Sequence, residues 1–378
     1  MADRDLVRSI EEELLDHIDL LRQLVELESP STKKALVDRL GDRLTEWFIA
    51  HHWPANRIAR TSVGDILWTE WREGEGEPIL VLCHLDTVWE EGTLDQFPFR
   101  VENGLVCGPG VFDMKAGVVA TLQIQKYISQ GWLRPRRKVR FLYTTDEEVG
   151  SFESRAVIED FARQSALVLV TEPPLPGGVL KTQRKGCGNY RVTARGRAAH
   201  PGVDPEKGVN AVQEIAHQIL KFHSLANPGR GTTIAVTVVR GGERENVIPD
   251  SAEASFDVRV KTLEEADRIE SSIAGLQPHF PEARLEVVGD MDRPPMVRTE
   301  RSRDLFAAAC RLALEVGINL EEGETGGGSD GCFSSALGVP TLDGLGIDGD
   351  GAHALHEHIQ LAQLPPRTAL LAKLIEGL

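Results

Sequence analysis

The sequence of 378 residues is short of the features that mark secreted and membrane-spanning chains. It has five cysteines, an odd number, and no two of them form a CxxC pair. Such widely spaced thiols favour a reducing compartment and argue against a disulfide framework or a thiolate zinc site. No run approaches the roughly 20 apolar residues of a membrane span, and the charged N-terminus lacks the apolar core of a signal peptide. We therefore expect a cytoplasmic protein.

Positive charge is also scarce. The chain has 42 lysines and arginines against 58 aspartates and glutamates, which gives a formal net charge of -16. Nucleic acids and anionic membrane surfaces both require basic patches, so neither is expected as a partner. The acidic balance is compatible with cation binding, although most of these charges must be solvated surface.

The length exceeds what one hydrophobic core usually serves, so two domains are expected. Short apolar strands alternate with amphipathic helices in residues 1–185 and 295–378, which predicts an α/β catalytic domain with a mostly parallel sheet covered by helices. Residues 186–294 instead show the order β-α-β-β-α-β, which predicts an inserted ferredoxin-like domain. At the N-terminus, the apolar spacing predicts one helix from about Leu6 to Glu28.

Histidines and carboxylates follow the predicted strands of the α/β domain or lie in its closing segment. They are His84, Asp86, Asp113, Glu147, Glu148, Glu172 and His353. Ligands bind beyond the carboxyl ends of such strands, so these side chains should converge on one rim. Imidazole and carboxylate without thiolate suit zinc, or less selectively cobalt or manganese. His84 and Asp86 are two apart, so Asp86 can accept the second ring N–H of His84.

Each of these residues also has an ordinary structural interpretation. His84 alone would more often be a hydrogen-bonded interior histidine, and Asp113 could cap the helix that follows it. Glu172 before two prolines could lie in a surface turn, and His353 could belong to an exposed polar loop. The coincidence of all of them at successive strand ends favours the metal site.

Motifs along most of the chain carry a family resemblance. They include "HLDTV", "GPGVFDMKAG", "TTDEEVGS", "RAAHPG", "ENVIPD", "FDVR", "GGGSDG" and "GAHALHE". In this order, from about Leu82 to Glu357, the chain resembles the aminoacylase/carboxypeptidase family of co-catalytic zinc metallopeptidases, with the glutamate carboxypeptidase branch as the nearest match.

The resemblance implies roles for individual residues. His84, Asp113 and Glu172 would bind one zinc ion, and Asp113, Glu148 and His353 the other, so that Asp113 bridges. The remaining assignments concern proton transfer, support and substrate binding. They are Glu147 as general base, Asp86 as the partner of His84, His200 as an oxyanion-stabilising residue from a partner subunit, Asn246 and Arg259 as substrate-carboxylate ligands, and Gly327 and Gly328 as cleft backbone.

The implied activity is hydrolysis of the amide bond in an N-acyl amino acid or short peptide, with release of the C-terminal amino acid. Two Zn²⁺ ions per chain would serve it, with Co²⁺ or Mn²⁺ as substitutes, in a homodimer formed through the inserted lid domain. A deacetylase, desuccinylase or dipeptidase of the same family is the alternative. A non-catalytic module that binds amino-acid conjugates is a third possibility, but it would have no need of Glu147 beside a complete ligand set.

Overall fold

The computed structural model describes residues 3–378. Its α-helices in this range are α1 (Asp3–Glu12), α2 (Leu14–Glu26), α3 (Lys34–Ala50), α4 (Ala116–Ser129), α5 (Arg155–Arg163), α6 (Ala211–Leu225), α7 (Leu263–Ala274), α8 (Glu300–Glu315), α9 (Gly331–Ala336) and α10 (Leu364–Gly377). Its strands are β1 (Asn56–Ile58), β2 (Ile66–Trp71), β3 (Ile79–His84), β4 (Arg100–Glu102), β5 (Leu105–Cys107), β6 (Val139–Thr144), β7 (Leu167–Val170), β8 (Leu180–Arg184), β9 (Gly186–Arg195), β10 (Thr233–Gly241), β11 (Ser251–Val260), β12 (Arg284–Arg293), β13 (Glu322–Thr325), β14 (Thr341–Leu342), β15 (Gly349–Asp350) and β16 (His358–Gln360). Within the described range, no helix has the length and apolar character needed to cross a bilayer.

The first compact unit consists of residues 3–183, 298–324 and 329–378. Its largest sheet has six strands in the order β1-β2-β6-β3-β7-β14. The pairs from β6 through β3 and β7 to β14 are parallel, whereas β1 and β2 add antiparallel pairs at one edge. The prediction of an α/β fold with a mostly parallel sheet is confirmed.

Strand β3 shows why this sheet is covered on both faces. All six of its residues are buried. Successive strand side chains point to opposite faces, and here Ile79, Val81 and Cys83 join the larger hydrophobic cluster. Leu80 and Leu82 join a second cluster. A continuous apolar run is therefore what a strand between two helical layers requires.

The second compact unit consists of residues 184–297 and 325–328. Its chain order is β9, α6, β10, β11, α7, β12, and its four-stranded antiparallel sheet has the order β10-β11-β9-β12. Alternate residues of β11 are buried, and α6 and α7 supply the rest of a separate core. The helices begin at polar caps, since Asn210 accepts hydrogen bonds from two backbone N–H groups of α6 and Thr262 accepts one from α7.

The N-terminal helix differs from its prediction. The predicted single helix is two helices, α1 and α2, which are separated at Glu13. The Glu13 carboxylate accepts hydrogen bonds from Lys126 and from the Tyr127 hydroxyl, each at 3.0 Å. These partners lie on α4, far away in the sequence, so the apolar spacing alone carried no sign of the break.

Candidate metal centre

Five side chains of the first unit lie together at the carboxyl ends of the parallel strands. They form two groups that share Asp113, and they are His84, Asp113, Glu148, Glu172 and His353. His84 is the last residue of β3, Glu148 follows β6, and Glu172 follows β7. The carboxyl ends of parallel strands meet at one edge, so residues that are remote in sequence converge there.

The first group contains His84, Asp113 and Glu172. The Nε2 atom of His84 lies 3.1 Å from Asp113 Oδ1 and 3.5 Å from Glu172 Oε1. His84 and Glu172 are both buried, so Glu172 does not lie in a surface turn. Asp113 does not cap α4 either, since the cap position is Lys115 and no side chain within the described range caps that helix.

The second group contains Asp113, Glu148 and His353. The Nε2 atom of His353 lies 3.2 Å from Glu148 Oε2 and 3.5 Å from Asp113 Oδ2. The two oxygens of Asp113 therefore face different histidines, which is the arrangement a bridging carboxylate needs. His353 has a backbone φ of 63°, a left-handed conformation that is uncommon for a residue with a side chain and is often found at functional sites.

The donor set fits two divalent cations. Glu148 Oε1 is buried and has no hydrogen-bond partner among the described residues. Burial raises the pKa of Glu148 to about 7. Contacts with Asp113 and Glu148 raise the pKa of His353 to about 10. An imidazole must be neutral to bind a metal ion, so metal binding would displace a proton from a charged histidine here.

Asp86 contacts His84 and the segment of Glu148, and these contacts differ in part from the prediction. The nearest Asp86 atom to His84 Nδ1 is its main-chain oxygen at 2.9 Å, whereas Asp86 Oδ1 is 3.6 Å away. The carboxylate instead accepts hydrogen bonds from the Ser31 hydroxyl at 2.7 Å and from the backbone N–H groups of Glu147 and Glu148. Asp86 therefore joins the end of β3 to the turn that carries both glutamates.

The three consecutive acidic residues after β6, Asp146 to Glu148, lie in different environments. Asp146 is fully buried, and it accepts hydrogen bonds from the Ser154 hydroxyl at 2.5 Å and from the Glu153 N–H at 2.8 Å. These hydrogen bonds fasten Asp146 to the segment just before α5. Glu147 is only partly buried, and it lies next to the candidate ligand Glu148.

Two acidic residues near the centre were missed by the sequence analysis. Asp330 is buried and accepts hydrogen bonds from the hydroxyls of Thr144 and Ser151, on either side of the glutamate turn. Glu357 is fully buried and accepts backbone N–H groups from the segment of Asp113. Burial raises the pKa of Glu357, although these hydrogen bonds oppose the shift. Both residues lie inside quoted motifs, but a bond to main chain or to a distant hydroxyl leaves no spacing pattern.

The remaining site predictions fall on the second unit. The Arg259 guanidinium is hydrogen-bonded to the Asp257 carboxylate, with Nη2 at 2.7 Å from Oδ2. The carbonyl oxygens of Gly327 and Gly328 accept hydrogen bonds from Arg184 Nη1 at 3.3 and 2.7 Å. The carbonyl oxygens of Gly327 and Gly328 therefore already have a hydrogen-bond donor within the second unit.

His200 and Asn246 both lie in exposed loops of the second unit. The Nδ1 atom of His200 accepts a hydrogen bond from the Gly202 N–H at 3.1 Å. This contact occupies Nδ1, so Nε2 is the ring nitrogen that would serve another molecule.

The fold and the paired ligand groups define a protein with a candidate two-metal centre at the strand ends of an α/β sheet. The chain belongs to peptidase family M20/M25/M40, whose family model matches residues 80–377. The family resemblance drawn from the motifs is confirmed, and the chain is a metallopeptidase of this family.

Individual relatives agree with this assignment. The chain is 32% identical over 329 residues to carboxypeptidase G2 from Pseudomonas sp. strain RS-16, across 85% of this chain and 79% of the relative. It is 26% identical to succinyl-diaminopimelate desuccinylase from Acinetobacter baylyi, across 83% and 86% of the two chains. The crystal structure of aminopeptidase PepT from Bacillus cereus shares the fold with a TM-score of 0.81 at 20% identity, across 97% of this chain and 98% of that chain.

Proposed function

We propose that this protein is a two-zinc amidohydrolase of the carboxypeptidase type. It would cleave the amide bond of an N-acyl or N-peptidyl amino acid and release the C-terminal residue. The observation that carries the proposal is the Asp113 carboxylate, whose two oxygens face two different histidines of the metal-ligand groups. The 32% identity to carboxypeptidase G2 supports the reaction class.

His84, Asp113 and Glu172 would hold one ion, and Asp113, Glu148 and His353 the other. When bound, zinc supplies Lewis acidity, which polarises a carbonyl group and makes water more acidic. Cobalt or manganese would accept the same imidazole and carboxylate donors.

Glu147 would act as the general base and then as the general acid. It would take the proton from the attacking water at its carboxylate and return it to the nitrogen of the departing amino acid. Its backbone N–H donates to Asp86 Oδ1 at 3.2 Å, so the turn that carries Glu147 is fastened to the end of β3. The adjacent Glu148 is needed as a ligand, which leaves Glu147 for proton transfer.

Arg259 and Asn246 would bind the α-carboxylate of the substrate, and the backbone around Gly327 and Gly328 would line the cleft. A guanidinium presents a planar fork that matches a carboxylate. Arg259 already bonds the Asp257 carboxylate, so the substrate would share or exchange this contact. Asp257 would in that case hold the guanidinium in place before substrate arrives.

The second unit would mediate a homodimer in which His200 serves the partner subunit. Among the described strands, β10 pairs only with β11, so its other edge is open. The exposed apolar side chains Val236, Val238 and Val239 lie on β10, and Leu220 on α6 is also exposed. Two-fold pairing would cover this surface. The five cysteines form no disulfide among the described residues, which favours a reducing compartment, so we keep the cytoplasm as the proposed location.

Subunit mixing tests the dimer. Glu147→Gln and His200→Ala chains are unfolded and refolded together, with each variant alone as the control. If His200 acts in the neighbouring site, each mixed dimer has one complete site, and random pairing restores roughly a quarter of wild-type sites. A mixture that stays inactive after proven subunit exchange contradicts this arrangement.

A second candidate is a desuccinylase or deacetylase, which the identity to succinyl-diaminopimelate desuccinylase favours. A panel of N-acyl amino acids, including succinyl and acetyl forms, and of dipeptides separates the candidates when zinc, cobalt and manganese are added in turn. We expect hydrolysis with metal, and hydrolysis slower by about 10²–10⁴-fold in Glu147→Gln. A panel with no metal-dependent turnover would favour the non-catalytic binding module.

A further inference from the structure

One buried carboxylate, that of Glu357, organises the segment that carries Asp113. Its Oε1 accepts hydrogen bonds from the backbone N–H groups of Phe112 at 2.8 Å and Asp113 at 3.0 Å. Its Oε2 accepts from the Gly110 N–H at 2.8 Å and from the Trp89 indole N–H at 2.7 Å. Four donors therefore point at one fully buried side chain.

These contacts explain how the bend before α4 keeps its shape. A buried N–H group without a partner is destabilising, so a bend that leaves several N–H groups outside regular helix needs an acceptor for them. The anionic carboxylate can accept from all four donors at once, because it offers two oxygens and no hydrogen of its own. The segment of Asp113 is held at its backbone, and its carboxylate is left to contact His84 and His353.

Glu357 also connects two of the segments that carry candidate metal ligands, those of Asp113 and His353. It lies in the same loop as His353, and its main-chain oxygen accepts a hydrogen bond from Gly108 at 3.4 Å. A shift of Glu357 would therefore move the backbone of Asp113 relative to His353.

We propose that Glu357 and Trp89 are positioning residues that set the backbone of Asp113, so that its carboxylate reaches both histidines. This inference rests on the proposed function, because it takes Asp113 as the shared ligand of two ions. Neither residue binds metal in this account. They act through hydrogen bonds to the backbone of a residue that does.

Glu357→Gln is the informative change, because glutamine has the same shape and one acceptor oxygen fewer. Its amide N–H groups would face two of the four donors, and these contacts would become repulsive. Loss of a group that supports a metal ligand typically weakens metal affinity about 10- to 100-fold. We expect that weakening for zinc in Glu357→Gln, with a smaller loss in Trp89→Phe, which removes a single donor.

Glu214→Gln is the matched control. Glu214 is a fully buried glutamate of the second unit that accepts backbone N–H groups from His279 and Phe280, each at 2.9 Å. The same substitution there removes the same type of contact without touching the metal groups. It should lower the melting temperature and leave zinc affinity unchanged.

The experiment is a calorimetric zinc titration of the metal-free wild type, Glu357→Gln, Trp89→Phe, their double variant and Glu214→Gln. Visible spectra of the cobalt-loaded proteins report ligand geometry independently of turnover. The losses of zinc affinity in Glu357→Gln and Trp89→Phe should not add in the double variant, because both changes act on one hydrogen-bond network. That coupling, with a changed cobalt spectrum, supports the proposal.

Two results would overturn this proposal, and only the second would also overturn the proposed function. The first result is that the wild type and Glu357→Gln bind two ions equally well, and that Glu357→Gln shows only a decrease in melting temperature like that of Glu214→Gln. Glu357 is then a structural residue, and the proposed function stands. If the metal-free wild type binds no zinc, the proposed function fails along with this inference. Trp89→Phe answers the same question if Glu357→Gln does not fold.

Discussion

Buried carboxylates of the two compact units differ in their hydrogen-bond partners and in their pKa. In the second unit, Glu265 receives three hydrogen bonds from Arg268, one from Arg230 and one from the Thr232 hydroxyl. Its contacts, those with Arg268 above all, lower its pKa to about 2. In the first unit, burial raises the pKa of Glu148 to about 7.

This difference in partners and pKa distinguishes structural carboxylates from those that need a cation. Within the described part of the chain, neither Asp113 nor Glu148 forms an ion pair with a lysine or arginine, and their charged partners are the two histidines. An isolated buried carboxylate is strongly disfavoured unless it is paired or binds metal. The protein therefore neutralises Glu265 with its own residues, whereas we propose that bound ions neutralise the first-unit cluster.

The largest effect is expected when the shared ligand is removed. Asp113→Ala should abolish binding of both ions, whereas His84→Ala should mainly weaken one, because a bridging carboxylate serves two ions and a terminal imidazole one. Stepwise zinc titration by calorimetry measures this. Glu265→Gln is the control, and it should bind two ions normally. If Asp113→Ala still bound two ions with little change in affinity, the bridging assignment would be wrong.

Glu147→Gln should lower turnover by about 10²–10⁴-fold, the usual contribution of general acid–base catalysis. Its metal content should stay at two ions per chain, in contrast to Asp113→Ala. Steady-state kinetics and elemental analysis of the same preparation provide the two readouts. Near-wild-type turnover would remove Glu147 as the base, and loss of metal would mean that the roles of Glu147 and Glu148 are exchanged.

Substrates should require a free α-carboxylate. If Arg259 pairs with that group in the complex, its loss should cost on the order of 2–5 kcal/mol. Amidated or esterified analogues should therefore be poor substrates, as should any substrate offered to Arg259→Ala. The measurement is kcat/KM for matched acid and amide pairs. Equal rates would place Arg259 with Arg268, as an arginine that only neutralises a carboxylate of its own unit.

The smallest effect concerns the stability of the second unit. Because the folded-state pKa of Glu265 lies near 2, below its ordinary 4.5, its stabilising contacts are fully present above pH 4.5 and are lost as the pH falls towards 2. Glu265→Gln should lower the free energy of unfolding by about 1–3 kcal/mol at pH 7. Denaturant titrations should show this difference shrinking between pH 4.5 and 2. A difference that does not change with pH would mean that packing, not charge, holds Glu265.

The α/β class and the candidate ligands were accessible from sequence for a common physical reason. An apolar run such as Ile79–Cys83 specifies a strand buried on both faces, and the topology of parallel strands puts the residues after such runs at one edge. His84 and Glu172 could thus be placed near each other without any contact being known. Their assignment as zinc ligands is still a prediction.

The supporting contacts were not accessible in this way. Glu357 bonds to main-chain N–H groups, which every residue type except proline possesses, so the sequence shows no partner. The ring of His84 lies closer to the main-chain oxygen of Asp86 than to the Asp86 carboxylate. That carboxylate instead accepts hydrogen bonds from Ser31 and from the turn that carries Glu147 and Glu148. Backbone partners depend on how segments pack, and packing is decided by residues far along the chain.

The most direct test of the account is zinc titration of the metal-free wild-type protein with hydrolysis of an N-acyl amino acid followed in the same samples. The account predicts two ions per chain, hydrolysis that appears as they bind, and loss of both on adding a chelator. Binding of fewer than two ions, or hydrolysis that proceeds unchanged in the chelator, would contradict it.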